Sequence, residues 1–201
     1  MKSSQYLETS TQKLVPLQVP WSVTSATPQL RLIAEENGET RVTFAAYFLG
    51  DKGSGEPGST LEKPMVVDRA EKDFYEPNNL CSNYQRVELR FKRSVAARLL
   101  PAFSSHQVVK EDNFDWSLPH RFSSQPGMEL SEGLELEEES WITEGICPDP
   151  LAYKVESSWW APEFKVDHAM FGHFLIIGED SYVEVIGVDP IWRRLGKLEW
   201  G

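Results

Sequence analysis

Eight carboxylates lie between residues 122 and 153, a stretch that contains no Lys, Arg or His. They are Glu129, Glu132, Glu135, Glu137, Glu138, Glu139, Glu144 and Asp149. The stretch carries −8 of a formal net charge of −11, which leaves −3 for the rest of the chain. Concentrated negative charge attracts cationic partners and repels nucleic acid. The chemistry that this stretch indicates is therefore the recognition of a basic surface.

The acidic stretch has three possible interpretations. It can be the solvated face of an edge strand, where charge prevents edge-to-edge aggregation. It can be a docking surface for a basic protein, as in small acidic inhibitors and toxin-neutralising immunity proteins, which use charge for rapid association. It can also be a sugar or metal site. For the docking surface, the candidate partner-binding residues are Glu135, Glu137, Glu138, Glu139 and Trp141.

No metal or other cofactor is predicted. The D-x-[DN]-x-[DN]-G pattern of a calcium loop is absent, and a strand would splay the consecutive residues 137–139 apart. Cys81 and Cys147 form no C-x-x-C pair. The histidines lack the spacing of a helical metal site, although His168 and His173 could still meet on one lip of a sheet. The four histidines are His106, His120, His168 and His173.

No catalytic residues are predicted either, because the chain has no G-x-S-x-G elbow and no recognisable context around either cysteine. The Gly-rich stretch 50–64 lacks the order of a phosphate-binding loop. The sequence therefore favours a non-catalytic binding protein of the inhibitor or immunity type.

The alternative is a carbohydrate-binding or glycoside-hydrolysing β domain, since Trp side chains beside two carboxylates are typical of such sites. Alternation along a strand would put Trp159 and Trp160 on opposite faces, with at least one in the core.

Basic residues form two small clusters that could be taken for a nucleic-acid footprint. They are Arg86, Arg90 and Lys92, with Arg98 as a possible extension, and Arg193, Arg194 and Lys197. The sequence pI is about 4.9. Pairing of these cations with local carboxylates is favoured, and nucleic-acid binding is not predicted.

Several segments have the period-two alternation of β-strands. Residues 30–34 and 42–48 flank Asn37-Gly38, which predicts a hairpin with a type I′ turn. Residues 84–93 form another clear strand, and 173–177 and 182–188 flank a second turn. Residues 128–136 also alternate, which predicts an acidic strand there. A further strand is predicted over 152–159, and residues 191–200 are consistent with an edge strand or a short helix.

These elements predict a mainly β fold, an antiparallel sandwich or a bent barrel-like sheet with few short helices. Residues 1–28 are expected to be irregular, apart from a possible short strand at 14–19. Residues 29–201 are expected to form a single domain with a flexible loop at 50–64. The chain has neither an apolar signal region near residue 1 nor a run of about 18 apolar residues. The sequence therefore predicts a cytoplasmic protein without membrane contact.

Overall fold

The computed structural model describes residues 11–24, 30–49, 84–122 and 129–197. The secondary structure of these residues is mainly β, which confirms the predicted class. The strands are β1 Gln12–Pro16, β2 Ser22–Val23, β3 Arg31–Ala34, β4 Thr40–Tyr47, β5 Tyr84–Phe91, β6 Ser94–Pro101, β7 Phe114–Asp115, β8 Ala152–Glu156, β9 Gly172–Ile177, β10 Ser181–Gly187 and β11 Ile191–Lys197. One α-helix, α1, spans Leu130–Glu144, and short 3-10 turns occupy Glu111–Asn113 and Ala161–Glu163.

The strands form two antiparallel-rich sheets. The first has the order β6-β10-β9-β8-β1-β7, and its one parallel pair is β1 with β7. The second has the order β11-β5-β4-β2, and β3 pairs with β4 beside this path. The predicted hairpin of β9 and β10 therefore lies inside the first sheet, and β11 is an edge strand of the second.

The main hydrophobic core lies between the two sheets, as in a sandwich. Trp21 is fully buried there and packs on Phe44, with ring centroids 5.1 Å apart. Phe91 of the second sheet meets Phe174 of the first at 5.2 Å. A smaller cluster covers the opposite face of the first sheet, where Leu14, Val109, Tyr153, Val155, Leu175 and Ile177 are buried together. We call this second surface the outer face.

The first hairpin forms as predicted, but its turn is of another type. The backbone N–H of Gly38 donates to the carbonyl of Glu35 at 3.0 Å, and the N–H of Glu35 donates to the carbonyl of Glu39. Gly38 has a φ of 80°, whereas Asn37 is not in the left-handed region. This is a type I turn closed by a left-handed glycine, so the predicted type I′ turn is wrong. The Asn37 side chain instead accepts the N–H of Glu39 at 2.8 Å.

The predicted acidic strand at 128–136 is wrong, because residues 130–144 form helix α1. A capping box starts the helix: the Glu129 side chain accepts the backbone N–H of Glu132, and the Glu132 carboxylate accepts the N–H of Glu129. Gly145 ends it in the left-handed region, with a φ of 68°. Leu and Glu are good helix formers. These local signals prevail over the apparent alternation.

Two predicted boundaries change as well. Residues 12–16 and 22–23 form strands within the segment 1–28 that was expected to be irregular, and the possible strand at 14–19 starts and ends earlier. Strand β8 stops at Glu156, because Ser157 adopts a φ of 54° and turns the chain away.

The predicted loop 50–64 lies outside the described residues. Within the described ranges, no helix combines the length and apolar character needed to cross a membrane.

Two glycines that face each other across β9 and β10 give a matched test of the sheet packing. A Cβ on Gly187 would lie 2.9 Å from the backbone oxygen of Arg93, which cannot easily move. A Cβ on Gly172 would first meet the flexible end of Lys154, at 3.0 Å. We expect Gly187→Ala to lower the free energy of unfolding by about 1–3 kcal/mol, and Gly172→Ala to lower it less. Urea denaturation measures both, and an equal or reversed order would contradict this packing.

Candidate functional site

Helix α1 places the five candidate partner-binding residues on two different faces. Consecutive helical residues are rotated by about 100°, so residues three and four apart share a face. Glu135, Glu138 and Glu139 are exposed, whereas Glu137 and Trp141 are partly buried. Three of the five residues therefore share one solvent face, and two point toward the protein.

Trp141 and Glu137 help to seat the helix on the sandwich. The Trp141 ring meets Tyr47, at the end of β4, in an edge-on contact with centroids 6.1 Å apart. Burial raises the pKa of Glu137, and the negative charge of Asp149 raises it further, despite the nearby basic side chains of His120 and Arg121. The inward position of Glu137 therefore carries an electrostatic cost when the carboxyl is ionised.

The last turn of the helix is held from the side by Arg121. Its guanidinium lies 3.7 Å from the Glu144 carboxylate and 3.2 Å from the Ser140 hydroxyl, and Ser140 donates to Glu144 at 3.0 Å. A cation at the C-terminal end also opposes the helix dipole. These contacts orient α1 so that its opposite side faces solvent.

The solvent side of α1 combines aliphatic and acidic side chains. Leu134 is 55% exposed and Ile142 is 41% exposed. Glu138 lies between them in an i, i+4, i+8 row, and Glu135 and Glu139 lie beside that row on one side. We call these five residues the acidic helix face. Exposed aliphatic side chains with a charged rim are typical of interaction surfaces.

Asp149, the last carboxylate of the acidic stretch, accepts hydrogen bonds from within the protein. The Tyr153 hydroxyl donates a short hydrogen bond to it, and the backbone N–H of Leu151 donates at 3.3 Å. Burial raises the pKa of the Tyr153 phenol, so the hydroxyl stays a proton donor. His120 lies 3.9 Å from Asp149 and stacks on Trp116 at 5.3 Å. Asp149 therefore organises the chain after α1.

The described residues do not assemble a metal site. No group of three or more His, Cys, Asp or Glu side chains in these parts of the chain could hold a metal ion. His173 is 2% exposed inside β9, while His168 is exposed on the turn before it. The possible meeting of these two histidines on one lip is therefore not found. Burial raises the pKa of the Cys147 thiol, which makes it a poor nucleophile, and Cys81 lies outside the described residues.

Charged and polar side chains converge on the outer face of the first sheet. Glu184 of β10 is the direct cross-strand partner of Arg98 on β6. The Arg98 Nε lies 2.6 Å from Glu184 Oε2. The His173 Nε2 lies 3.1 Å from Glu184 Oε1, within ion-pair distance although out of line for a hydrogen bond. The Ser158 Oγ lies 2.8 Å from His173 Nδ1.

Trp160 completes this cluster. The Arg98 guanidinium lies 4.1 Å from the centre of the Trp160 ring, and that ring meets the His173 imidazole edge-on at 5.5 Å. This distance is that of a cation–π contact between the guanidinium and the indole. We call Arg98, Ser158, Trp160, His173 and Glu184 the outer-face network.

Hydrogen bonds to Ser158 fix the tautomer of His173. The Ser158 Oγ accepts the backbone N–H groups of Trp160 at 3.1 Å and Ala161 at 3.0 Å. Both lone pairs are then occupied, so the hydroxyl donates its proton to His173 Nδ1. The ring proton accordingly sits on Nε2, facing Glu184. A Ser–His–Glu arrangement resembles a catalytic relay, but the lone pairs of this serine are occupied by backbone donors, so it is a poor nucleophile.

Glu184 is an ionised carboxylate in a buried position. Its residue is 6% exposed. Burial works to raise its pKa, but its interactions with His173 and Arg98 together outweigh burial, and the pKa is lowered. The Arg98 cation and the N–H group that His173 directs at the carboxylate both favour the ionised form.

A pocket of about 250 Å³ opens above the outer-face network. Arg98 and Glu184 form part of its wall, together with Trp159, Trp160 and Tyr182. The expectation that Trp159 and Trp160 lie on opposite sides of a strand is therefore wrong, since the turn at Ser157 brings both to this pocket. Glu184 is the one carboxylate among the described residues that line it. The facing pair used in glycoside hydrolysis is not assembled there.

Three of the cations in the two basic clusters contact carboxylates. Arg90 lies 2.5 Å from Glu39, and Arg193 lies 2.8 Å from Glu88. Arg98 belongs to the outer-face network. These pairs offset charge within the protein.

Comparison of the chain with protein-family models, with curated proteins and with solved structures found no match.

The sequence predicted the acidic residues on a strand, although they lie on helix α1, and it did not predict the outer-face network. A usable signal existed for the network, because Glu184 interrupts the apolar run 183–186 and His173 begins the apolar run of the partner strand. A charge inside such runs needs a buried partner. The identity of those partners depends on the strand order, which the sequence left open.

Replacing Glu184 tests whether the outer-face network stabilises the fold. A carboxyl whose folded pKa is lowered stabilises the protein above its unfolded pKa, and this contribution is lost as the pH falls. We expect Glu184→Gln to lower the free energy of unfolding by about 2 kcal/mol at pH 7. The difference from wild type should shrink as the pH falls below 4.5, the ordinary value for this group. Denaturant titration at several pH values measures it, and a pH-independent difference would contradict the role of charge.

Replacing Glu137 tests the inward position of that side chain. A carboxyl whose folded pKa is raised destabilises the fold when it is ionised. We expect Glu137→Gln to raise the melting temperature at pH 7, and this gain should disappear below pH 4.5, the ordinary glutamate value. Glu138→Gln is the matched control, since Glu138 is exposed, and should have little effect. A lower melting temperature for Glu137→Gln would show that its charge is stabilising.

Proposed function

We propose that this protein is a non-catalytic binding protein whose acidic helix face docks on a basic protein, in the manner of a small inhibitor or immunity protein. The observation that carries the proposal is the exposure of Leu134 and Ile142 among three outward glutamates. The net charge of −11 supports the same assignment and argues against nucleic acid as the partner.

The two kinds of side chain on this face have different roles in binding. Carboxylates steer a basic partner toward the helix and mainly set the association rate. Leu134 and Ile142 supply apolar area that leaves water on contact, which mainly slows dissociation. Because Trp141 and Arg121 hold α1 from the protein side, little ordering of the helix is needed on binding. We place the protein in the cytoplasm, where the free thiol of Cys147 is in keeping with a reducing environment.

Charge reversal on the helix tests the proposal. Proteins captured from a lysate of the source cells at low salt are identified, and the captured candidate is purified for binding measurements. We expect a basic partner whose dissociation constant rises steeply with salt. Changing Glu135, Glu138 and Glu139 together to Lys should weaken binding by at least about 100-fold, since close charge pairs contribute more than 1 kcal/mol each.

A matched triple variant separates this face from net charge. Glu36, Glu163 and Glu179 are exposed and lie outside α1, and changing them to Lys alters the net charge equally. We expect this control to bind with nearly wild-type affinity. Leu134→Ser combined with Ile142→Ser should weaken binding while leaving its salt dependence unchanged. Binding that resists both about 0.5 M salt and the Glu135, Glu138 and Glu139 reversal would overturn the proposal.

A further inference from the structure

The pocket above the outer-face network has the size of a small ligand. Its volume of about 250 Å³ lies below the usual range for drug-sized molecules. Its walls come from the strands β6 and β10, from the segment that contains Phe103 and Asn113, and from the turn that contains Trp159 and Trp160. This volume suits one six-membered ring with its substituents.

Aromatic side chains form much of the wall, and one of them is held at the mouth. Trp159 is 40% exposed. Its backbone N–H donates to the side-chain oxygen of Gln12 at 2.9 Å, and Gln12 is itself buried. Phe103 and Tyr182 also line the pocket. The negative faces of aromatic rings attract the weakly positive C–H groups of a flat ligand, so Trp159 is a suitable stacking surface.

The polar part of the wall offers fixed donors and acceptors. Arg98 uses its Nε to bind Glu184, and a guanidinium has five N–H donors in all. Each Glu184 oxygen has one close neighbour, Arg98 or His173, and each carboxylate oxygen has a second lone pair. Asn113 adds an amide, which can both donate and accept. Adjacent hydroxyl groups, which donate and accept at once, match this pattern.

The charges inside the pocket wall are paired. Arg98 and Glu184 balance each other, and Lys110, the remaining cation among the described lining residues, is exposed to solvent. A neutral ligand with several hydroxyls can use both members of the pair without disrupting it. We propose that this pocket binds a single neutral sugar ring, stacked on Trp159 and hydrogen-bonded to Arg98, Glu184 and Asn113. This inference does not depend on the acidic helix face.

Direct binding of simple sugars tests the inference. Methyl glycosides of glucose, galactose and mannose, together with N-acetylglucosamine, are titrated into the full-length protein while tryptophan fluorescence and ligand-observed NMR are recorded. We expect saturable binding of at least one of them, with a dissociation constant on the order of 1 mM, as a ligand of this size allows.

Three variants locate the binding. Trp159→Ala should weaken it about tenfold, the scale of one aromatic contact. Glu184→Gln should weaken it as well, and its thermal unfolding shows whether that variant is folded. Leu99→Ala is the matched control, because Leu99 is exposed on the same strand as Arg98 and points to the other face of the sheet. It should bind like wild type.

The binding results for these variants either support or overturn the sugar site. Saturable binding that Trp159→Ala weakens and Leu99→Ala leaves unchanged supports the sugar site. If none of the four sugars binds to the folded protein, or if Trp159→Ala binds as well as wild type, the assignment is overturned. Neither result bears on the basic partner of α1, whose binding is measured with different variants.

Discussion

The outer face of the first sheet is organised around one buried negative charge, the Glu184 carboxylate. Glu184 lies on β10, one strand in from the edge, and it is contacted by Arg98 on one neighbouring strand and by His173 on the other. Removing an ionised carboxylate from water is costly unless it is paired and hydrogen-bonded. The register of three strands is therefore constrained, because a shift by one residue would turn this side chain toward the apolar core.

The same charge determines where the irregular segment after β8 lies. The neutral His173 ring directs its N–H toward Glu184 when the other ring nitrogen accepts a hydrogen bond, and the Ser158 hydroxyl donates that bond. Ser158 in turn holds the backbone of Trp160 and Ala161. Trp160 then covers both Arg98 and His173. The contacts that pair and hydrogen-bond Glu184 thus place part of the pocket wall.

The glutamates on the outward side of α1 are in a different position. They remain in water, where their charge costs little and is accessible to a partner.

The sequence predicted the strands that alternate. It failed at helix α1, where local helix signals compete with alternation, and at the outer-face network, where the strand order determines which residues meet. Alternation located β4, β5, β9 and β10, since each has one face or both faces in the core. The alternation at residues 128–136 led to a wrong strand prediction, because Leu134 and Leu136 are not core residues but lie exposed on a helix. Glu132 in the first turn and Gly145 just after the last turn are the sequence signals that favour that helix. Of the five candidate partner-binding residues, Glu135, Glu138 and Glu139 are exposed on the helix, whereas Glu137 and Trp141 are partly buried, and only the helical phase separates the two groups.

The ionisation of Glu184 is the most direct test of this account. The side-chain carboxyl carbon of Glu184, followed by ¹³C NMR in protein labelled at glutamate and assigned with the Glu184→Gln variant, reports its titration in the folded state. The account requires a pKa below 4.5, the ordinary value, because Arg98 and His173 stabilise the charge more than burial opposes it. A pKa at or above that value would mean that burial dominates, and the network could not then be the constraint that organises the outer face.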